Sequence, residues 1–328
     1  MSTGPAAENN PTTAISFILV GMIFISLNDV LIKQLSGDYP LHQMVFVRSA
    51  IGIMASLVFV QMEGGMGILR TKTPFLHLLR GLLVVGANMA YFTALAVMPL
   101  ADATALFFVA PLFITLLSIP LLGEKVGIRR LSAVGVGFLG VLIMVRPGSD
   151  IAASVSTWLV LLLPVIGALC YALMQILTRR LGLTTKASAL AIYIQTTFLM
   201  VSAGFWIVAG DGRFAEGVED PSLIFLLRAW VWPAPGDEWL FGALGLTSAA
   251  IGYCLSRAYK SADAATVAPF EYVALPLAIA WGWGLWSEMP GPETFAGIAL
   301  IVSAGLYVFL REKVKNTRVA ARRPMRRH

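Results

Sequence analysis

Apolar stretches long enough to cross a bilayer recur along this chain from residue 14 to residue 311, and that recurrence restricts the fold more than any motif does. A hydrocarbon core of roughly 30 Å takes about 20 apolar residues in a helix, somewhat fewer where the crossing is thin. Ten segments fit: 14–35, 43–62, 75–97, 102–122, 131–146, 157–179, 187–209, 239–259, 265–286 and 294–311. No water is present at that depth to satisfy backbone amides, so each segment has to be helical. The expected class is an all-α integral membrane protein with ten transmembrane helices. Charged residues are only 13% of the 328 and the mean hydropathy is +0.79, where a soluble chain carries about a quarter charged residues, so a soluble domain is excluded.

Ten crossings put both termini on one side and sort the loops into two sets. One set, with Arg70, Lys72, Lys125, Arg129, Arg130, Arg179, Arg180, Lys186, Arg257, Lys260 and the basic tail, holds eighteen Lys and Arg. The other holds four: Lys33, Arg146, Arg213 and Arg228. Positive charge marks the cytoplasmic side. The expectation is a multi-pass inner (plasma) membrane protein with both termini in the cytoplasm. The net charge of +6 sits largely in the tail, residues 312–328, beside the headgroup layer; it fits an anionic lipid surface, and no nucleic-acid partner is expected. Residues 1–13 carry neither Lys nor Arg and show no cleavage pattern, so the first helix is expected to be retained behind a short cytoplasmic N-terminal tail.

The chain also repeats itself. "PLADATALFFVAPLFITLLSIPLLGE" (99–124) and "SADAATVAPFEYVALPLAIAWGWGLWSE" (261–288) both enter a span through Ala-Asp-Ala, hold a proline inside (Pro111, Pro276) and end on Glu (Glu124, Glu288). "ISLNDVLIKQL" (25–35) aligns in the same way with "YALMQILTRRL" (171–181). Five spans followed by five related spans make residues 14–148 and 157–311 two repeats, and because five is odd the second is inverted. Secondary transporters are commonly built this way, with the substrate site at the repeat interface near mid-membrane.

The helix count, the repeat, the "LLGEK" ending of the fourth span and the Pro-Glu-Tyr stretch of the ninth together resemble the ten-helix, EamA-type branch of the drug/metabolite transporter superfamily, over residues 14 to 311. The resemblance implies a substrate cavity lined by helices 1, 3, 4, 6, 8 and 9, with paired gates. "NDVLIK" and "APFEYVALP" are similar to a branch containing proposed riboflavin and S-adenosylmethionine carriers. The expected activity is therefore secondary active or facilitative transport of a small organic metabolite by alternating access. A non-transporting membrane receptor or scaffold is the alternative. Uptake of a riboflavin-like or nucleoside-like compound and export of an amino acid both remain open.

Polar residues inside spans are the candidate site, because a buried ionisable group needs a cavity, a partner or a proton. Glu271 lies between Pro269 and Pro276, which leave carbonyls without donors and open the helix beside it, and it is the leading candidate for substrate or coupling proton. Asn28, Asn88, Tyr91, Tyr171, Gln175, Tyr253 and Phe107 are the neutral and aromatic candidates for an orienting pocket. Asp29 and Lys33, at i,i+4, are expected to pair, with Arg48 as a second partner for Asp29, in a gate or ion pair. Asp102 and Asp263 read as helix N-caps, and Trp281, Trp283 and Trp286 as an interfacial belt.

Residues 210–238 form an extracytoplasmic insertion in the second repeat whose apolar "PSLIFLLRAWVWP" is too short to span; Trp230 and Trp232 suit an interfacial or re-entrant segment, against a disordered loop. Small residues at Ala133, Gly137 and Gly140, with Gly297, Ala304 and Gly305, suit close helix packing, including packing in a homodimer. His42, His77 and His328 make no i,i+3 or i,i+4 pair, and no P-loop or G-x-S-x-G is present, so neither an enzyme nor a metal or other cofactor is expected. Cys170 and Cys254 lie in spans and act as small apolar residues.

Overall fold

The structure, a computed structural model, describes residues 11–123, 126–145, 155–181, 187–261 and 268–321. Among these residues regular structure is helical throughout. The helices are α1 (Pro11–Leu35), α2 (Leu41–Glu63), α3 (Pro74–Leu95), α4 (Leu100–Phe107), α5 (Ala110–Leu122), α6 (Ile128–Val145), α7 (Val155–Leu181), α8 (Ala187–Ala209), α9 (Pro221–Leu227), α10 (Glu238–Ser261), α11 (Ala274–Trp286) and α12 (Pro292–Ala321). Seven stretches, those of α1, α2, α3, α4 with α5, α7, α8 and α10, are long and apolar enough to cross a membrane; α6 and α12 contribute shorter apolar stretches, Leu131–Val145 and Pro292–Val308. The helix α12 continues through the expected start of the basic tail to Ala321. Glu124 and Asp263 lie outside the described residues.

Two spans are broken, and proline chemistry accounts for both. A proline lacks an N–H and its ring displaces the carbonyl four residues earlier. For Pro111 that carbonyl belongs to Phe107, the last residue of α4; the chain leaves α-geometry at Phe108 and restarts in α5 with Pro111 in its first turn. For Pro276 it belongs to Tyr272, inside the 3-10 turn Ala268–Val273, and α11 restarts at Ala274. The two breaks meet: the Phe108 and Tyr272 rings lie 5.3 Å apart.

Helix contacts fall into matching pairs. Helix α1 lies along α10 as α7 lies along α3, while α2 packs on α8 and α6 on α12. Glycines permit two of these approaches at matching places. A Cβ on Gly21 would stand 2.8 Å from Leu255 Cδ1 of α10, and one on Gly167 would stand 2.9 Å from the Ala87 carbonyl oxygen of α3. Each glycine precedes its aligned stretch, "ISLNDVLIKQL" or "YALMQILTRRL", by the same four residues. In the α6–α12 seam, a Cβ on Gly140 would meet the Gly297 carbonyl oxygen at 2.8 Å, and one on Gly297 the Gly140 carbonyl oxygen at 2.9 Å. The small-residue stripes thus serve a seam within the chain.

The insertion is an ordered cap. Asp220 caps α9 by accepting from the Ser222 and Leu223 amides, Pro221 sits at the first helical position, and Phe225 is buried. Gln43 pairs with the Val231 backbone through both amide atoms (2.6 and 3.2 Å), Tyr39 Oη donates to Asp237 at 2.7 Å, and Arg228 donates to the Ser36 and Gly37 carbonyls. Trp230 stacks on His42 and lies tilted against Trp206 rather than facing outward, while Trp232 is 91% exposed. The expected tryptophan belt at 281–286 also divides: Trp281 Nε1 donates to Ser26 Oγ at 3.2 Å, Trp286 lies against Lys33, and only Trp283 is exposed.

Substituting Gly140 by Val should lower stability by about 1–3 kcal/mol, since a bulky Cβ meets backbone that has nowhere to move. Thermal unfolding in detergent measures this; Gly135→Val, on the same helix with open space around its Cβ, should change it far less.

Candidate functional site

The polar residues of the described spans gather in the bundle core and at the end capped by the insertion. At that end Lys33, near the close of α1, donates to both carboxylate oxygens of Glu288 at 2.8 Å and to the Met98 carbonyl at 2.7 Å. Glu288 also accepts from the Leu100 amide at 3.2 Å. The Lys33 side chain is 8% exposed and its ammonium lies 5.1 Å from the Trp286 ring centre. One ion pair therefore ties α1, the α3–α4 link and the end of α11 together. The expected i,i+4 pair of Asp29 with Lys33 does not form, because Lys33 reaches along the helix to the bundle end, whereas Asp29 is held deeper by α3. Asp102 is not an N-cap either: Pro99 holds that position, and Asp102 Oδ1 is buried in the first turn without a hydrogen-bond partner among the described residues.

Deeper in, Tyr91 Oη donates to Asp29 Oδ2 at 3.0 Å and lies 3.1 Å from Thr104 Oγ1, which joins α3, α1 and α4. Arg48 of α2 is 6% exposed; Nη1 donates to Asn28 Oδ1 at 3.3 Å and Nη2 to Asn88 Oδ1 at 2.9 Å. Its guanidinium carbon is 5.4 Å from the Phe92 ring centre and 5.1 Å from that of Phe198. Asn28 donates in turn to Thr247 and Ser248 of α10 at 3.2 and 3.4 Å. The expected direct Arg48–Asp29 pair is absent too: neutral amides and a phenol stand at the bonding positions of both charges.

An aromatic ladder leads away from Tyr91. Phe107 lies 5.1 Å from Tyr91 and 5.6 Å from Tyr171, ring centre to ring centre, and Gln175 Nε2 donates to Tyr171 Oη at 2.7 Å. Glu271, half-buried in the 3-10 turn, acts electrostatically on the Tyr171 and Tyr272 phenols. The structure thus connects Asn28, Asp29, Arg48, Asn88, Tyr91, Phe107, Tyr171, Gln175 and Glu271. Tyr253 is 42% exposed and edge-on to Phe17 at 5.9 Å. Phe92, Phe198, Thr104 and Thr247 were not expected. Isolated Phe and Thr are ordinary in membrane helices, and only their contacts single them out.

The first half of the chain, residues 12–146, matches the model of the EamA-like transporter family. A riboflavin transporter of Rhizobium johnstonii is 30% identical over 302 residues, 91% of either chain. The chain belongs to the EamA-like transporter family. Its EamA relatives include a pseudopaline exporter of Pseudomonas aeruginosa, 32% identical over 88% of this chain and 92% of that one. An S-adenosylmethionine uptake transporter of Rickettsia prowazekii is 25% identical over 91% and 93%. A solved crystal structure, 20% identical, superposes with a TM-score of 0.63 over 92% of this chain and 99% of its own, which extends the likeness to the fold. The protein is a membrane transporter of the drug/metabolite superfamily and not an enzyme.

The pair is partly buried, with the Lys33 side chain 8% and the Glu288 side chain 27% exposed, and breaking it strands the lysine's charge, which costs more than removing both partners. Lys33→Met and Glu288→Gln should each lower the unfolding temperature in detergent, and the double variant should recover much of the loss. Strictly additive losses would show that the two side chains act separately.

Proposed function

We propose that the chain is a secondary transporter that moves a small organic metabolite by alternating access between two inverted five-helix repeats. The observation that carries this reading is the meeting of two proline-broken spans at Phe108 and Tyr272 in the bundle core, with Asp29, Tyr91, Tyr171 and Glu271 on the helices around them. A broken helix can bend at its break without exposing unpaired backbone to lipid. The matched contacts of α1 with α10 and α7 with α3, and the matched glycines 21 and 167, support the inverted repeat.

In the proposed cycle the Lys33–Glu288 pair is the latch of one gate. Its closing draws the last turn of α11 onto α1 and the α3–α4 link. Charge counting in the loops places that gate on the outer side, with residues 210–238 outside and both termini in the cytoplasm. Glu271 takes up a proton or a hydrogen-bonding group of the substrate at the break in the ninth span. The relatives' names supply the substrate range, from riboflavin to S-adenosylmethionine to pseudopaline. A receptor without transport has no use for two matched breaks and a latch.

Flux in proteoliposomes tests the reading. Panels of labelled riboflavin, S-adenosylmethionine and amino acids, with and without a pH gradient, should reveal uptake that Glu271→Gln lowers at least about tenfold while membrane insertion is unchanged. Absence of flux for every compound supports the receptor alternative. For orientation, Cys introduced at Glu216 should react with an impermeant thiol reagent from outside, and Cys introduced at Lys72 only from inside, both in a background lacking Cys170 and Cys254. The reverse labelling would overturn the cytoplasmic placement of the termini, and labelling of both positions from one side would overturn the inverted arrangement.

A further inference from the structure

The insertion and the Lys33–Glu288 latch share one short stretch of chain. Leu226, Arg228, Val231, Ala234 and Asp237 each hydrogen-bond a residue between 36 and 43, the turn after α1 and the start of α2. Besides the bonds already described, the Leu226 carbonyl lies 3.1 Å from His42 Nδ1, and the Ala234 amide donates to Tyr39 Oη at 2.8 Å. Hydrogen bonds of this kind exchange for bonds to water at small net cost, so a seat built from them can open. Gly212 and Gly236, near the two ends of the insertion, have φ of 81° and 103°, a backbone that turns where a side chain would resist.

A cavity of ≈ 20 Å³, room for about one water, adjoins this seat. Its walls come from α2, α3 and α8 and, through Leu226, from α9. His42 lines it, 4% exposed, with Nε2 lacking a hydrogen-bond partner among the described residues. Asn88 and Phe198 line it too, and both also touch Arg48, so the cavity reaches from the insertion to the polar core. A space for one water passes no metabolite until a wall moves. Three of the walls are membrane-length helices, whereas α9 is seven residues long and belongs to the insertion.

Arg228 connects this wall to the latch. It directly follows the last residue of α9, and its guanidinium donates to the Ser36 carbonyl at 3.1 Å and to the Gly37 carbonyl. Ser36 in turn donates through Oγ to the Lys33 carbonyl at 2.7 Å. A cation at the C-terminal end of a helix satisfies free carbonyls and complements the helix dipole. Arg228 therefore fixes the end of α1 from which Lys33 reaches Glu288.

Resting on the transporter reading, we propose that residues 212–236 are the lid of the outer entrance and that Arg228 is the positioning residue that couples the lid to the latch. Lifting α9 widens the cavity toward Arg48. The same movement withdraws Arg228 from the end of α1 and frees Lys33 to leave Glu288, so lid and latch open together.

Thiol accessibility tests both halves of the proposal. In the full chain lacking Cys170 and Cys254, Ser202→Cys places a thiol in the cavity wall, and Ala168→Cys places a control thiol at a wholly buried position on α7. A small impermeant methanethiosulfonate is added from the side of the insertion. Arg228→Gln should speed labelling at position 202 about tenfold to hundredfold, the range expected for losing one charge-assisted hydrogen bond, and leave position 168 unreactive. Arg228→Lys, which keeps the cation without the planar fork, should recover part of the protection. Lys33→Met should speed labelling at position 202 as well, because the latch holds the lid shut, and combining it with Arg228→Gln should add little. An unchanged rate in Arg228→Gln, or equal speeding at position 168, overturns the lid; an unchanged rate in Lys33→Met, or full additivity, overturns the coupling. Uptake separates these outcomes from the transporter reading. Bridging Gln43→Cys to Val231→Cys with a reducible thiol linker should stop flux until the linker is reduced, and undiminished flux overturns the entrance assignment alone. Flux of no compound, with labelling as expected, overturns the transporter reading and leaves the lid and its coupling standing.

Discussion

A charge buried in an apolar helix bundle has to be solvated by the protein itself, and the way this chain does so organises its centre. Neither lipid nor neighbouring side chains of the Leu and Val kind can stabilise an ammonium or a guanidinium. Lys33 receives a carboxylate from the far end of the chain and a carbonyl from the α3–α4 link. Arg48 receives two amide oxygens from α1 and α3 and two aromatic faces. Each solution needs several helices at once, so the polar bonds fix how α1, α2, α3, α10 and α11 sit together. Apolar packing alone would tolerate sliding.

The broken spans work with this arrangement. Because Pro111 and Pro276 interrupt their helices, the two halves of each span can turn separately, and the half that carries Glu288 is the one Lys33 holds. In the proposed cycle the latch and the hinge therefore lie on the same element. In the proposed cycle, release of one ion pair frees α11 to tilt about its break while the small-residue seam between α6 and α12 stays closed.

Much of this was legible in the sequence, and the remainder has a physical reason for having been hidden. Apolar length announced the helices, and Pro269 and Pro276 announced an opening beside Glu271, because span length and proline chemistry are local properties; Pro111 served only to align the two repeats, and the break beside it came from the structure. Partners of polar groups are not local. Spacing along α1 pointed Asp29 at Lys33, yet the partner of Lys33 is 255 residues away. Glu288 could be placed at the same membrane face from the repeat, but not at 2.8 Å. Arg48 was recognisable as an intramembrane cation; that amides rather than Asp29 would meet it follows only from where Asn28 and Asn88 land. The insertion was ambiguous for the same reason. Its apolar run fitted a membrane interface equally well, and the Gln43–Val231 and Tyr39–Asp237 bonds that seat it on the α1–α2 loop and the start of α2 join distant positions.

The central claim, that the two ends joined by Lys33 and Glu288 must part for transport, is tested most directly by tethering them. A Lys33→Cys, Glu288→Cys protein lacking Cys170 and Cys254, bridged by a short bifunctional thiol reagent with a reducible linker, is assayed for flux in proteoliposomes before and after reduction. The account predicts that flux stops on bridging and returns when the linker is reduced. Undiminished flux through the bridged protein would contradict it.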